Sequence, residues 1–574
     1  MTNQEIAEIF ERIADLLELQ GENPFKARSY RRSAEVIRSL PEEVANIQAR
    51  GELLSLPGVG ASLAQKIEEL LTTGSLQYYE DLRAAVPPGL VEMLAIPDLG
   101  PRTAARLYEE LGIATIEELE QAAREHRIRV LKGFGAKSEE NLLRGIELYR
   151  RGQERIPYGV ALPQAQTLVA ALEPLPQVQR ISVAGSLRRY RETIKDLDLL
   201  VASEDPQPVI DTFVGLPAVA EVIAAGTTKA SIRLETDLQA DLRVVAPECF
   251  GAALQYFTGS QAHNIALRGL AQELGLKVNE YGVFRGEERL AGETEEEVYA
   301  ALGLPYIPPP LREDRGEIQA ALKGRLPGLI TRADLRGDLH VHTNWSDGAL
   351  SLEGMAQAAR ARGYEYLLIS DHSKSLTVAN GLDEGRLLRQ GEEIAALNEQ
   401  FDNFRLLWGV EVDIFSEGRL DLDPAVLAQL DIVVAAVHTG FKQSREQITR
   451  RLIAAMESGV VDIIAHPTGR LLGRREAYEL DFEALLAAAA RTGVALELNA
   501  APERLDLGDI HLRAAKEHGV PIVIGTDAHH PDQLDFIHFG LGTAQRGWLE
   551  PSDVLNTLPV EELLAHFRRR KGKR

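Results

Sequence analysis

Apolar residues recur at helical spacing through the first 150 residues, as in EIAEIFERIADLLEL (5–19) and YRRSAEVIRSL (30–40), with glycine-containing turns between segments. Positions three and four apart share one helix face, so this stretch reads as helix throughout. Strand-like alternation begins near residue 180, in VQRISVAGSLRR, KDLDLLVAS and DLQADLRVVAP, mixed with helical segments such as PVIDTFVGL. A proline- and glycine-rich run from 303 to 330 reads as an interdomain linker. Beyond it, short buried strands alternate with amphipathic helices: GDLHVHT, YEYLLISDH, LLWGVEVDIF, DIVVAAVHT, VDIIAHP, VALELNA and PIVIGTDAHH. Such units predict a parallel barrel related to the eight-unit type.

At 574 residues the chain exceeds what one hydrophobic core usually holds, so several domains are expected. No apolar run approaches the roughly 18 residues that span a bilayer, and the N-terminus is acidic and amphipathic rather than signal-like. Cys249 is the only cysteine, which excludes an intramolecular disulfide and a cysteine zinc cage; a cytoplasmic protein is expected. The formal net charge of -23 opposes chain-wide attraction to nucleic acid, so any such contact must be local. Of the 13 histidines, 11 lie after residue 330, and solvated surface histidines would be spread more evenly. The C-terminal part therefore uses imidazole.

LPGVGASLAQKI (56–67) and IPDLGPRTAARL (96–107) share an apolar-Pro-x-apolar-Gly pattern ahead of a helix, and LKGFGAKSEENL (131–142) is a looser third copy. Glycines such as Gly58, Gly60 and Gly100 allow a tight turn whose backbone N–H groups can hold a DNA phosphate at a helix N-terminus, an ordinary helix-turn-helix joint being the alternative for a single copy. The copies resemble helix-hairpin-helix motifs. A basic stretch, NPFKARSYRRSA (23–34), lies beside the first. The chain ends in HFRRRKGKR, with six basic residues in its last seven, read as a solvated terminus or a DNA-contacting tail.

In the middle of the chain, Asp196 and Asp198 lie two apart in a strand and so share a face, and Asp241 lies on another apolar strand. Three such carboxylates suit a two-metal site for phosphoryl or nucleotidyl transfer. Gly185 and Ser186 supply close backbone approach and a hydroxyl to nucleotide phosphates, with Arg189 neutralising charge. In YFTGSQAHNIALRGLA (256–271), Tyr256 and Phe257 precede the turn at Gly259, and Asn264 and Arg268 lie four apart on one helix face. This suits an aromatic wall for a sugar, an amide at the base edge and an arginine on the template strand.

The barrel strands end in His340 and His342 with Asp347 close behind, then His372, Glu411, His438, His466 and finally Asp527 and His529. The C-terminal strand ends of a parallel barrel share one face, so these nine side chains converge. Imidazoles mixed with carboxylates suit Mn²⁺, Zn²⁺ or iron, with Glu411 able to bridge two ions. Several cations would activate a water for attack on a phosphodiester or phosphomonoester, so Glu411 and His342 count as catalytic candidates. Asp371 reads as a carboxylate orienting a ligand imidazole.

Taken together, NPFKARSYRRSA, LPGVGASLAQKI, AGSLRR with KDLDLL, DLRVV, YFTGS and LKVNEYGVF resemble a family X DNA polymerase over residues 1 to about 305. DLHVHTNWSDG, DHS, GVEVD, VHTG, AHPTG and TDAHH resemble a polymerase and histidinol phosphatase (PHP) domain. The resemblance implies a multidomain α+β and α/β chain. It comprises a helical DNA-binding domain (1–85), fingers (86–155), a nucleotidyltransferase-type palm (156–245), a thumb (246–305), a linker (306–334) and a distorted (β/α)7 PHP barrel (335–574). It implies Asp196, Asp198 and Asp241 as polymerase ligands for Mg²⁺ or Mn²⁺, and three ions at a nine-ligand PHP site. Ser186 and Arg189 then meet the triphosphate, Tyr256 and Phe257 the sugar, and Asn264 and Arg268 the nascent base pair. Lys26 falls at a phosphate-binding position and Lys66 at that of a Schiff-base lyase lysine, although Ser62 stands where lyase-active relatives are basic and Gln261 replaces an acidic residue.

The implied activity is gap-filling dNTP addition on gapped or primed duplex DNA by a monomeric repair enzyme. Joined to it is a metal-dependent 3′–5′ exonuclease, with 3′-phosphatase or abasic-site endonuclease as further activities. A nuclease whose polymerase-like half only binds DNA, and a non-catalytic DNA-binding scaffold, are the alternatives.

Overall fold

A computed structural model describes residues 1–570 except 2, 39, 41, 42, 97 and 98. Pro97 and Asp98 of the second hairpin and the last four residues of the basic tail thus lie outside the described residues.

The first 154 residues form helices joined by turns. Helix Asn3–Leu19 buries Ile6, Phe10, Ile13 and Leu17 along one stripe. Helix Pro24–Arg38 lays Ala27, Tyr30, Ala34 and Ile37 against it, Phe10 and Tyr30 meeting edge to face at 5.5 Å. Helices Ala61–Thr73, Pro101–Leu111 and Ala136–Glu154 each start after a glycine, at Gly60, Gly100 and Gly135. These are the three hairpin helices. Gly58, at φ +78°, makes the turn before the first in a region that L side chains adopt at a cost of about 1–2 kcal/mol.

The main palm sheet has five strands: β1 (Arg180–Val183), β2 (Asp196–Ala202), β3 (Val219–Ala225), β4 (Lys229–Leu234) and β5 (Gln239–Val245). Their order is β1-β2-β5-β4-β3, and only the β2–β5 pair is parallel. Leu197, Leu199 and Val201 face helices Tyr158–Leu172 and Pro206–Val214, while Leu200 and Ala202 face helix Phe250–Thr258. A three-stranded antiparallel sheet (277–291) with helices Gln261–Glu273 and Glu295–Ala301 follows.

Residues 306–334 run as a closely packed strap. Ile307 and Leu311 enter the core of the preceding domain and Ile330 that of the barrel, while Arg312 and Glu317 are buried charges.

The barrel has seven parallel strands in sequence order: β6 (Gly337–Val341), β7 (Tyr366–Ile369), β8 (Arg405–Asp413), β9 (Ile432–Ala436), β10 (Ile463–Ile464), β11 (Ala495–Asn499) and β12 (Ile522–Gly525). Between β6 and β12 a single bridge, Val341 to Ala528, nearly closes the ring. At the other end the buried Asn556 side chain spans the gap, donating to the Gly337 and Ile524 carbonyls and accepting from the Ile524 N–H. One amide thus satisfies backbone groups of both strands that an eighth strand would otherwise pair. Leu505 and Phe539 of the barrel are buried in the palm core, so palm and barrel share apolar packing. Among the described residues no helix is long and apolar enough to cross a membrane.

Candidate active sites

In the palm, Asp198 is the register partner of Asp241, and Asp196 lies two residues earlier on the face of Asp198. Asp241 accepts from the Ser231 hydroxyl and, at 3.0 Å, from the Gln239 amide. Burial, together with the neighbouring Asp196 and Asp241, pushes the pKa of Asp198 up to about 7. A half-buried carboxylate set with too little positive charge fits divalent cations, which relieve that repulsion. Gly185 sits against it at φ +60°, and a Cβ there would lie 2.0 Å from Asp198 Oδ2. Glycine is therefore required twice, by backbone conformation and by the carboxylate. Ser186 follows in the short helix Gly185–Arg188.

Other expected nucleotide contacts are engaged within the protein. Arg189 donates to Glu313 Oε1 at 3.0 Å and to the Thr258 carbonyl. Tyr256 and Phe257 sit half-buried at the end of their helix with rings 5.1 Å apart, and the Arg243 guanidinium lies 4.3 Å from the Phe257 ring centre. Gly259, at φ +70°, ends that helix. The Asn264 amide donates to the Tyr256 carbonyl at 2.7 Å and accepts from Gln255 at 2.8 Å, tying helix Gln261–Glu273 to the end of helix Phe250–Thr258. Arg268 donates to the Asn264 carbonyl at 3.2 Å.

In the N-terminal domain, the ammonium groups of Lys26 and Lys66 lie 5.4 and 4.8 Å from the Tyr78 ring centre. Lys66 also donates to the Ser62 hydroxyl at 3.1 Å. Partial burial, aided by Lys26 and opposed by Glu69, lowers the Lys66 pKa.

The barrel brings all nine expected side chains together. His342, Asp347, His372 and His529 form one set; His340, His342 and Asp527 a second; His372, Glu411 and His438 a third. Within each set the ligand atoms lie within 4.8 Å of one another, and His466 Nε2 completes the group 3.0 Å from Glu411 Oε1. His342 and His372 each belong to two sets, and Glu411 lies among His340, His342, His372, His438 and His466. Among the described residues these three sets are the ones whose ligand atoms all lie within 4.8 Å of one another.

The donor atoms fit cations. His340 Nε2, His342 Nδ1, His372 Nδ1 and Glu411 Oε2 are buried without a hydrogen-bond partner, and the 2.8 Å approach of the last two lacks hydrogen-bond geometry. Such buried orphans are costly unless something binds them. Although burial opposes it, Glu411 and Asp413 push His438 up to about 10, and Asp347 and Asp527 do the same for His529. Burial, with His529 and His372 alongside, pulls His342 down to about 3. Against their burial, surrounding imidazoles hold Glu411 and Asp527 well below the carboxylate range. Any cation entering must displace the imidazole protons.

Asp371 corrects the sequence-based expectation. Its carboxylate accepts from Thr343, Ser346 and Gln390, tying the loop after β6 to its neighbours rather than orienting an imidazole. The orienting carboxylates are Glu497, 2.6 Å from His340 Nδ1, and Asp413, 2.6 Å from His438 Nδ1, neither of which sequence reasoning singled out. Glu497 is the lone acid of the apolar run VALELNA, and Asp413 lies two residues after Glu411 in GVEVD, on the same strand face, which was the available signal.

The fold and its two acidic sites define a nucleotidyltransferase-type palm joined to a histidine-rich metal-hydrolase barrel. Protein-family models match residues 1–76 as a helix-hairpin-helix domain and 90–147 as a SAM-like helix-hairpin-helix tandem. They match 253–313 as a DNA polymerase beta thumb and 338–501 as a PHP domain. The chain is 42% identical over 573 residues to the DNA polymerase/3′-5′ exonuclease PolX of Bacillus subtilis (strain 168), covering 99% of this chain and 100% of the relative. It is 25% identical over 342 residues to DNA polymerase lambda of Rattus norvegicus, covering 54% of this chain and 56% of that protein. A probable phosphatase of Thermoanaerobacter sp. (strain X514) is 30% identical over 247 residues, or 41% of this chain and 96% of the relative. The chain belongs to the PolX family, the family X DNA polymerases that carry a C-terminal PHP domain.

Proposed function

We infer that this chain is a DNA-directed DNA polymerase and 3′–5′ exonuclease, with polymerisation at the palm aspartates and hydrolysis at the barrel cluster. The end-to-end likeness to PolX carries the activity, and the two separate acidic sites support dividing it between domains. In the palm, Asp196, Asp198 and Asp241 would hold Mg²⁺ or Mn²⁺, which supplies charge neutralisation and activates the attacking hydroxyl when bound. Gly185 keeps the backbone clear of Asp198, and Ser186 offers its hydroxyl to the nucleotide phosphates. Tyr256 and Phe257 form the wall for the sugar, with Asn264 bonded to the Tyr256 carbonyl.

In the barrel, the nine ligands would hold up to three Mn²⁺, Zn²⁺ or iron ions, which supply a hydroxide nucleophile and Lewis acidity when bound. Glu497 and Asp413 fix two of the ligand imidazoles. The likeness to a probable phosphatase supports 3′-phosphate removal there as well.

The substrate is gapped or primed duplex DNA, gripped by the hairpin turns at Gly58, Gly60 and Gly100 rather than by net charge. The lowered pKa of Lys66 supports Schiff-base chemistry at an abasic-site sugar. The deciding experiment supplies a one-nucleotide-gapped duplex with magnesium or manganese, with and without dNTPs. Extension by one nucleotide with dNTPs and shortening without them are expected. Shortening without extension under either metal would leave only the hydrolase reading.

A further inference from the structure

Where palm meets barrel, four guanidinium groups surround two carboxylates. Arg189 Nε and Arg546 Nη1 both donate to Glu313 Oε1, at 3.0 and 2.8 Å, and Arg191 approaches the other oxygen at 3.9 Å. Arg546 also donates to the Arg189 carbonyl at 2.8 Å and to Asp509 at 2.6 Å, where Arg315 donates at 2.9 Å. Arg546 lies on barrel helix Ile537–Arg546 with only 1% of its side chain exposed, and Arg189 and Glu313 are each 12% exposed. The cluster thus joins the palm, the strap and the barrel. It carries two positive charges beyond its own carboxylates, a surplus suited to a polyanion beside it.

A fork-shaped guanidinium held on several sides is fixed in direction, whereas a free arginine must surrender rotamer freedom to bind. Neighbouring contacts keep the palm segment rigid: Tyr190 packs against Gly542, and Glu192 pairs with Arg470 at 2.6 Å. We propose that Glu313 and the barrel's Arg546 are positioning residues for nucleotide binding, setting Arg189 toward the incoming triphosphate so that the hydrolase domain completes the polymerase site. This rests on the assignment of Arg189 to the nucleotide.

The test is steady-state single-nucleotide insertion on a gapped duplex by the full-length Arg546→Gln, Glu313→Gln and Arg189→Ala variants, with 3′–5′ exonuclease activity on single-stranded DNA measured alongside. In both glutamine variants the dNTP KM should rise about tenfold, the weight of one charge-assisted hydrogen bond, with kcat and exonuclease within about twofold of wild type. The double variant should rise no further than the worse single one, because the two residues act in series. Glu313→Gln changes charge at constant size and keeps the test readable should Arg546→Gln fail to fold. A raised KM in Arg189→Ala with unchanged KM in both glutamine variants would overturn the positioning role alone. An unchanged KM in Arg189→Ala would overturn the nucleotide assignment and the proposal with it. A joint fall of kcat and exonuclease in the glutamine variants would mark the cluster as merely structural and also overturn it.

Discussion

Glu497→Gln isolates how the barrel holds its ligands. Glu497 is 1% exposed, and its two oxygens have separate tasks: Oε1 faces His340 Nδ1 at 2.6 Å, and Oε2 accepts the His466 backbone N–H at 2.6 Å. With a carboxylate acceptor, a proton is held on His340 Nδ1, so that Nε2, which has no hydrogen-bond partner, is the nitrogen left to a cation in the cluster. Glutamine matches the size but offers one acceptor. If its oxygen serves His466, its NH₂ faces His340 Nδ1, which drives the imidazole proton onto Nε2 and into the ligand position. One charge-assisted bond is worth about 1.5–3 kcal/mol, and losing the partner of a ligand histidine typically weakens metal loading or activity about 10–100-fold. The assay is 3′–5′ degradation of an end-labelled strand across a manganese titration, with gap filling as the control. The half-saturating metal concentration should rise within that range while gap filling is unchanged. Identical titrations for variant and wild type would refute the reasoning.

Further outcomes follow from the palm and hairpins. Gly185→Ala forces a Cβ to within 2.0 Å of Asp198 Oδ2, so gap filling should fall at least about 100-fold with exonuclease retained; near-normal insertion kinetics would contradict this. Because the pKa of Asp198 is raised to about 7, its proton competes with cations below that pH and leaves above it. The magnesium needed for half-maximal polymerisation should therefore be about tenfold higher near pH 6 than near pH 8, a difference that a flat profile would rule out. Gly58→Ala strains a turn at φ +78° and should weaken gapped-duplex binding several-fold in a fluorescence-anisotropy titration. Wild-type binding should itself decline steeply with salt, since a chain of net charge -23 holds DNA by local contacts alone; salt-independent affinity would count against the hairpins.

The barrel was the most legible part of the sequence, because most ligands lie at or just beyond the end of a short apolar run and the topology then brings the strand ends together. The palm aspartates were legible for a similar reason, since residues two apart on a strand keep one face. Glu497 and Asp413 were hidden because a buried acid inside an apolar strand gives no sign of its partner until the neighbouring strand is placed. Residues 306–334 read as a linker from their prolines, yet Arg312 and Glu317 are buried there because Glu295 pairs with the Arg312 guanidinium and His263 hydrogen-bonds the Glu317 carboxylate. The Arg189–Glu313–Arg546 cluster was invisible for the same cause: it depends on contacts between domains, which periodicity does not encode.

The most direct measurement compares Asp241→Ala and His342→Ala on one end-labelled, gapped duplex, following extension with dNTPs and shortening without them. Two independent sites predict that the first variant loses extension and keeps shortening, and that the second does the reverse. Loss of both reactions in either variant, or of neither in both, would contradict the division of labour between palm and barrel.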